Sequence, residues 1–370
     1  MNINLPIQMY DPSRDYALHK EDIDNAIQTV VDKGTFINGN QVKELESKLS
    51  DYTGARAITC ANGTDALFVA LKALDVKSGD EVITVAFTWI SSAEVISMTG
   101  ATPVWCDIRE DSFSIDENLI ESLITPKTKA IIAVSLYGYM PDYKLIQEIA
   151  RKHGIFVIED GAQSFGSIRD GNLSCSCQYT DIATTSFFPT KPIGCFGDGG
   201  CIFTRNEALG NKIHAIKNHG GTVRFKHDYI GVNSRLDTLQ ASILLEKLKY
   251  FNEVLSLREL CGKKYTEHLH DLLITPSYNM DRCALAQYGA ICSSEEERDM
   301  LVSKLKEKGI NVAIFYPIPL YKQNCFSNTN ITSLSVTEKV CGRILNLPCY
   351  AYVTDDEISY IAKTIQEILV

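Results

Sequence analysis

Residues 56–107 read RAITC ANGTDALFVALKALDVKSGD EVITV AFTWISSAEVISMTGAT PVWCD. Three short runs rich in apolar and β-branched residues, Arg56–Cys60, Glu81–Val85 and Pro103–Asp107, predict strands. Between them lie two helical patterns, about Thr64–Leu74 and Ala93–Met98. Strand, helix, strand, helix, strand is the order of an α/β sheet.

The alternation continues downstream with a strand at Ala130–Val134, a helix at Tyr143–His153, and strands at Ile155–Ile158, Ile182–Phe187 and Gly200–Thr204. Strands of continuous apolar character separated by helices imply a mostly parallel sheet covered on both faces. Upstream, Ile23, Ala26, Ile27, Val30 and Val31 recur at helical spacing and Gly34 supplies a stop; a second helix covers about Gln41–Tyr52. After Arg205 the strand pattern ends, and Leu236–Leu257 reads as one long helix joining two domains. The remainder mixes helices (Glu295–Lys308, Asp355–Leu369) with short strands (Gln287–Cys292, Asn311–Ile314), which predicts a smaller α+β domain. The expected division is an N-terminal arm 1–20, a large domain 21–240, and a linking helix with a small domain 241–370.

A chain of 370 residues exceeds the roughly 250–300 that one core serves, which agrees with that division. With 45% hydrophobic and 22% charged residues, the composition excludes disordered and fibrous classes. A net charge of −10 argues against nucleic acid or anionic membranes as partners, so an anionic ligand needs a local site. Met1–Tyr10 lacks a signal-peptide pattern. No run approaches the ~20 apolar residues of a membrane span. The twelve cysteines are thinly spread, and Cys60, Cys106, Cys201 and Cys292 sit in apolar runs, so buried thiols and a cytoplasmic location are expected. Cys175 and Cys177 form the only close pair, and without further ligands nearby no metal site is expected.

Ligands of open α/β sheets bind beyond the carboxyl ends of the strands, so the loops there should carry the chemistry. Ala61-Asn62-Gly63-Thr64-Asp65 opens an apolar helix; Gly63 and Thr64 suit a phosphate seat, and Asn62 or Thr64 equally suits a plain N-cap. Ile158-Glu159-Asp160-Gly161-Ala162-Gln163 ends an apolar strand in two carboxylates; Asp160 could hold a proton on a ring nitrogen or cap the turn. Ser186-Phe187-Phe188-Pro189-Thr190-Lys191-Pro192, followed by four glycines within 194–200, locks a lysine between prolines. Such a lysine is reactive if desolvated. Ala86-Phe87-Thr88-Trp89 places a tryptophan where it could cover a flat ring or join the core. A phosphate seat, a strand-end acid, a constrained lysine and an aromatic lid together suit pyridoxal 5′-phosphate (PLP) better than a nucleotide.

At these residues the chain resembles the DegT/DnrJ/StrS family of sugar aminotransferases, PLP enzymes of fold type I, from about Ile23 to Ile368. The motifs are ANGTDAL (61–67), IEDGAQSFG (158–166), SFFPTKPIGCFGDGG (186–200), GVNSRLDTLQAS (231–242) and YPIPL (316–320). The resemblance implies Lys191 as the Schiff-base lysine and proton carrier, Asp160 as partner of the pyridine nitrogen, Gln163 near the 3′ oxygen and Trp89 on the ring. It places Gly63, Thr64 and Ser186 at the phosphate, joined by Asn233 of a second subunit in a homodimer with shared active sites. Arg235, Tyr316 and His219 become candidates for the sugar. The implied reaction moves an amino group, commonly from glutamate, through pyridoxamine phosphate (PMP) to a keto-sugar on a nucleotide, in the synthesis of surface polysaccharide such as the O-antigen of lipopolysaccharide.

Within the family, residues 33–55 resemble members acting on 3-keto sugars. SLYGYMPDY (135–143) with SRLDTLQAS (234–242) resembles those acting on a UDP-2-acetamido-3-keto-glucuronate. Phe315 departs from them: those relatives have a histidine there, and phenyl cannot donate a hydrogen bond to a sugar acid. A dTDP-3-keto-6-deoxyhexose and a 4-keto sugar are the alternatives. A dehydratase of the same fold would carry histidine in place of Lys191, and a non-catalytic regulatory protein would have lost Lys191 or Asp160.

Overall fold

The computed structural model describes residues 3, 5–277, 280–326 and 334–370. All the strands expected between residues 56 and 204 form: β1 (Arg56–Cys60), β2 (Glu81–Val85), β3 (Thr102–Cys106), β4 (Thr128–Val134), β5 (Phe156–Asp160), β6 (Ile182–Ser186) and β7 (Gly200–Thr204). They make one seven-stranded sheet in the order β1-β7-β6-β5-β4-β2-β3. The pairs β2–β3, β2–β4, β4–β5 and β5–β6 are parallel, whereas β7 runs antiparallel to both β1 and β6. The exception has a local cause. Parallel neighbours need a long crossover, commonly a helix, but residues 187–199 contain none, so the chain turns straight back beside β6. That turn is the one bearing Lys191.

The sheet lies in the core: Ile83, Ile131, Ile132, Ile158, Ile182 and Ile202 are almost wholly buried. Helices Gly63–Ala73, Ser91–Met98, Tyr143–His153 and Glu207–Ile216 connect or flank its strands. Eleven of the described cysteines are buried, Cys325 is exposed, and all are free. Burial pushes the Cys175 and Cys177 thiols up, away from the thiolate a metal would need.

Several elements differ from the sequence expectation. The first helix spans Pro12–Lys33, beginning inside the stretch read as an arm; Asp11 caps it, proline sits in its first turn and Gly34 ends it at φ 64°. Its early turns are too polar to show an apolar stripe. The long helix expected at Leu236–Leu257 is two, Thr238–Leu248 and Phe251–Leu269, broken at Tyr250 (φ −117°, ψ 12°). Strands do not stop at Arg205, because Gly221–Val223 and Lys226–His227 form a small ribbon. Asn311–Ile314 makes one bridge, Ala313 with Asn346, and is no strand. The partner of Tyr288–Ile291 is Ile344–Leu347, which follows helix Ser335–Arg343 with no turn residue to announce it.

The first helix is tied to two later parts of the chain. Arg14 Nη1 and Nη2 donate to the Glu357 carboxylate at 2.7 and 2.6 Å. Asp15 pairs with Lys247 at 2.6 Å.

Candidate active site

The carboxyl ends of β1, β2, β4, β5 and β6 lie along one rim of the sheet, and each releases a loop that carries chemistry. The turn after β1 settles the two readings of its polar residues. Asn62 Oδ1 accepts the Asp65 N–H at 2.7 Å and is the N-cap, while Thr64 Oγ1 bonds Ser91 Oγ at 2.6 Å. Gly63 lies against the end of β6: a Cβ added there would stand 2.8 Å from Ser186 Cβ. Two residues assigned to phosphate from the sequence, far apart in the chain, are thereby neighbours at a helix N-terminus. Gly200 is equally constrained, since its Cβ would fall 2.4 Å from the Asn62 carbonyl oxygen.

Asp160 is the last residue of β5 and is buried. Its Oδ2 accepts from Ser92 Oγ at 2.8 Å and its Oδ1 from the Ala162 N–H at 3.2 Å. Burial raises its carboxyl above the ordinary value, and the two donors and the Lys191 charge pull the other way. Lys191 sits in the tight return between β6 and β7. Its own N–H bonds the Phe188 carbonyl at 2.9 Å, and the Cys195 N–H bonds the Phe187 carbonyl at 2.8 Å. Gly194 allows this closeness, because a Cβ would lie 2.5 Å from the Pro189 oxygen. Desolvation lowers the Lys191 amine to about 8, with Asp160 opposing the shift. A neutral, nucleophilic amine is thus accessible near neutral pH.

Gln163 Oε1 accepts the Tyr137 N–H at 2.7 Å and its Nε2 donates to Tyr316 Oη at 3.4 Å. The Tyr316 ring meets Phe87 edge-on at 6.1 Å and tilts toward Trp89 at 6.2 Å. Trp89 is 60% exposed and is therefore not a core residue. Beside Asp160 on β5, Glu159 accepts from Ser174 Oγ at 2.6 Å and Cys175 N at 3.1 Å. Adjacent strand residues face opposite sides. Burial raises Glu159 to about 7.

The chain thus brings together Gly63, Thr64, Ser186, Asp160, Lys191, Gln163, Tyr316 and Trp89. Asn233, His219 and Arg235 stand apart. Asn233 and His219 are exposed on segments joined by an Asn218–Asn233 bridge, and Arg235 is half-buried. None of the three hydrogen-bonds to Lys191, Asp160 or Gln163 within the described residues. The segment does reach the phosphate turn, since Ser234 Oγ accepts the Ala61 N–H at 3.0 Å. Sequence reasoning missed Ser92 and Tyr137; the Ser91-Ser92 pair opening a helix after a strand-end loop was the available signal for the first.

These residues fit a phosphorylated pyridine aldehyde. A buried carboxylate and a desolvated amine near one another suit a ring nitrogen and a carbonyl carbon. The close approach at Gly63 suits a phosphate.

Comparison with known proteins agrees. The model of the DegT/DnrJ/EryC1/StrS aminotransferase family matches residues 18–366. The chain is 42% identical over 361 residues to a UDP-2-acetamido-2-deoxy-3-oxo-D-glucuronate aminotransferase of Pseudomonas aeruginosa, covering 97% of this chain and 99% of that one. It is 37% identical over 372 residues to a UDP-N-acetyl-3-dehydro-alpha-D-glucosamine 3-aminotransferase of Acidithiobacillus ferrooxidans, covering 100% of each. The crystal structure of NtdA from Bacillus subtilis with bound PMP superposes with a TM-score of 0.92 at 30% identity, covering 100% of this chain and 86% of that one.

Fold and site together define a PLP-dependent aminotransferase of fold type I. The chain belongs to the DegT/DnrJ/EryC1/StrS aminotransferase family.

Proposed function

We propose that the protein moves the amino group of glutamate to C3 of a UDP-linked 2-acetamido-3-keto-hexuronate or hexose. The observation that carries this is the desolvated Lys191 amine beside the buried Asp160, in a chain similar along nearly its whole length to two 3-oxo-sugar aminotransferases.

When bound, PLP supplies an electron sink for the pair released at the donor's Cα. The protein's residues do the rest. Gly63, Thr64 and Ser186 hold the phosphate, Asp160 keeps a proton on the ring nitrogen, Gln163 faces the 3′ oxygen and Trp89 covers the ring. Lys191 anchors the cofactor and, once released, carries the proton from the donor's Cα to the cofactor carbon. It runs the same transfer in reverse toward the sugar. Arg235, His219 and Tyr316 contact the nucleotide sugar in this reading.

Asn233 reaches the phosphate of a second copy, making a homodimer with shared sites. The exposed side chains of Phe225 (85%) and Ile230 (89%) near it support a covered face. The free buried cysteines support a cytoplasmic location, and no described helix is long and apolar enough to cross a membrane. A role in surface polysaccharide synthesis rests on the family resemblance.

Phe315 favours a second reading within the same reaction. A phenyl ring offers a sugar carboxylate no hydrogen bond, and the A. ferrooxidans relative is named for a substrate without one. A neutral UDP-2-acetamido-3-keto-glucose is therefore tested beside the uronate.

The test follows visible absorbance of PLP-loaded protein through addition of glutamate, then of each keto-sugar nucleotide. Bleaching by glutamate and recovery with a 3-keto sugar are expected, and Lys191→Ala should form no covalent band. Recovery only with 4-keto sugars would overturn the C3 assignment.

A further inference from the structure

Tyr137, in the loop after β4, has φ 59° and ψ −3°, a left-handed conformation that is uncommon and unfavourable for a bulky side chain. Its ring is fully buried. Such strain persists only where the surroundings enforce it, and here three groups of one residue bond three separate segments of the chain, two of them at the site. The N–H donates to Gln163 Oε1 at 2.7 Å. The carbonyl accepts the Ala286 N–H at 2.9 Å. The hydroxyl donates to the main-chain oxygen of Phe315. Phe315 is held from its other side as well, since its N–H donates to Asn346 Oδ1 at 2.8 Å. The residue that follows it is Tyr316, whose hydroxyl accepts from Gln163 Nε2.

A primary amide has one accepting end and one donating end. With Oε1 taken by the Tyr137 N–H, the other end of Gln163 is its NH2 group, one hydrogen directed at Tyr316 and one left for the site. The flipped amide would oppose two donors at 2.7 Å.

We propose that Tyr137 is a positioning residue with two outputs. Its backbone N–H fixes Gln163 as a donor toward the phenolic oxygen of the cofactor, and its hydroxyl seats the Phe315–Tyr316 backbone against the same amide. One strained residue then sets both the cofactor's hydrogen bonding and the placement of the segment assigned to the sugar. This rests on the reading of Gln163 and Tyr316 under Proposed function.

The experiment compares PLP-loaded wild type, Gln163→Glu and Tyr137→Phe. Titration of the visible absorbance with pH reads the first output. In Gln163→Glu a carboxylate oxygen stands where an N–H stood, and a nearby negative charge favours the protonated form, so the midpoint rises by about one unit or more. Tyr137→Phe keeps the backbone N–H and leaves that midpoint in place. The second output is read from half-saturation. In Tyr137→Phe the value for the UDP-3-keto sugar rises about tenfold, the loss of one hydrogen bond, while that for glutamate changes less than twofold.

An unmoved midpoint in Gln163→Glu would show that the amide does not face the cofactor. A Tyr137→Phe enzyme that weakens glutamate as much as sugar, or neither, would overturn the seating role. If wild type uses no UDP-keto sugar, the proposed function fails on its own. The titration then judges the first output, and the tryptophan fluorescence of wild type against Tyr137→Phe, in which Trp89 reports the Tyr316 ring beside it, judges the second: an unchanged spectrum would overturn the seating role.

Discussion

Ser92 Oγ donates a 2.8 Å hydrogen bond to Asp160 Oδ2, joining the first turn of the helix after β2 to the end of β5. Among the described residues it is the one side chain hydrogen-bonded to this carboxylate, and it opposes the upward shift that burial imposes. Ser92→Ala therefore raises Asp160 further and weakens its hold on a ring proton. A hydrogen bond to a charged group is worth about 1.5–3 kcal/mol, so kcat/KM should fall roughly ten- to a hundredfold. Steady-state kinetics at fixed saturating PLP read this, with Ser92→Thr retaining most activity. A variant within twofold of wild type would show that the Ala162 N–H alone suffices.

Lys191 makes the apoenzyme's reaction with PLP depend on pH. Its amine is lowered to about 8, so the rate of covalent band formation should climb through a midpoint near that pH rather than near the 10.5 of free lysine. Asp160 raises the Lys191 value, hence Asp160→Asn should move the midpoint lower. Stopped-flow absorbance after mixing with PLP measures both, and a midpoint unmoved by the substitution would uncouple the pair.

Glu159 predicts a stability profile. Its folded value near 7 lies above the ordinary 4.5, so between these the native state binds more protons than the unfolded chain. Stability therefore falls as pH rises through that window, and the cost is complete above 7. Glu159→Gln keeps an acceptor for Ser174 or Cys175 and removes the ionisation. Thermal melts of apoenzyme should show the variant matching wild type near pH 4.5 and exceeding it at pH 8. Parallel melting curves across this range would contradict the assignment.

Gly63→Ala tests the phosphate turn. A Cβ 2.8 Å from Ser186 Cβ forces apart the β1 turn and the end of β6. The expected result is PLP affinity lowered at least about tenfold, with the melting temperature of the apoenzyme moved by only a few degrees, as for a strained contact of 1–3 kcal/mol. Fluorescence titration with PLP gives the affinity, and an unchanged value would place the phosphate elsewhere.

Much of this arrangement was legible in the residues, for definite reasons. β1, β2 and β7 announced themselves because buried strands in an α/β sheet are short apolar runs between helices. Lys191 stood out because prolines and glycines constrained it, and Asp160 because a carboxylate closed an apolar strand. What stayed hidden was set by tertiary contact. Whether Asn62 or Thr64 capped the helix depended on where Ser91 lay. Tyr137 lay inside the motif SLYGYMPDY with no role of its own, and only its backbone angle and its contacts with Gln163 and Phe315 set it apart. The helix break at Tyr250 carries neither proline nor glycine, so periodicity ran through it. The reversal of β7 was implicit in the missing helix between it and β6, a signal of topology rather than of residue type.

The Arg14–Glu357 pair has a bearing on how the enzyme is made. Its partners are separated by 343 positions, and Arg14 is also bound to the Tyr352 carbonyl at 2.8 Å. During synthesis the sheet and its rim of loops can assemble while the chain is still emerging from the ribosome. The helix at Pro12–Lys33 cannot take this anchorage before the helix at Asp355–Leu369 has been made, so one of the earliest segments of the fold depends on one synthesised 343 residues later.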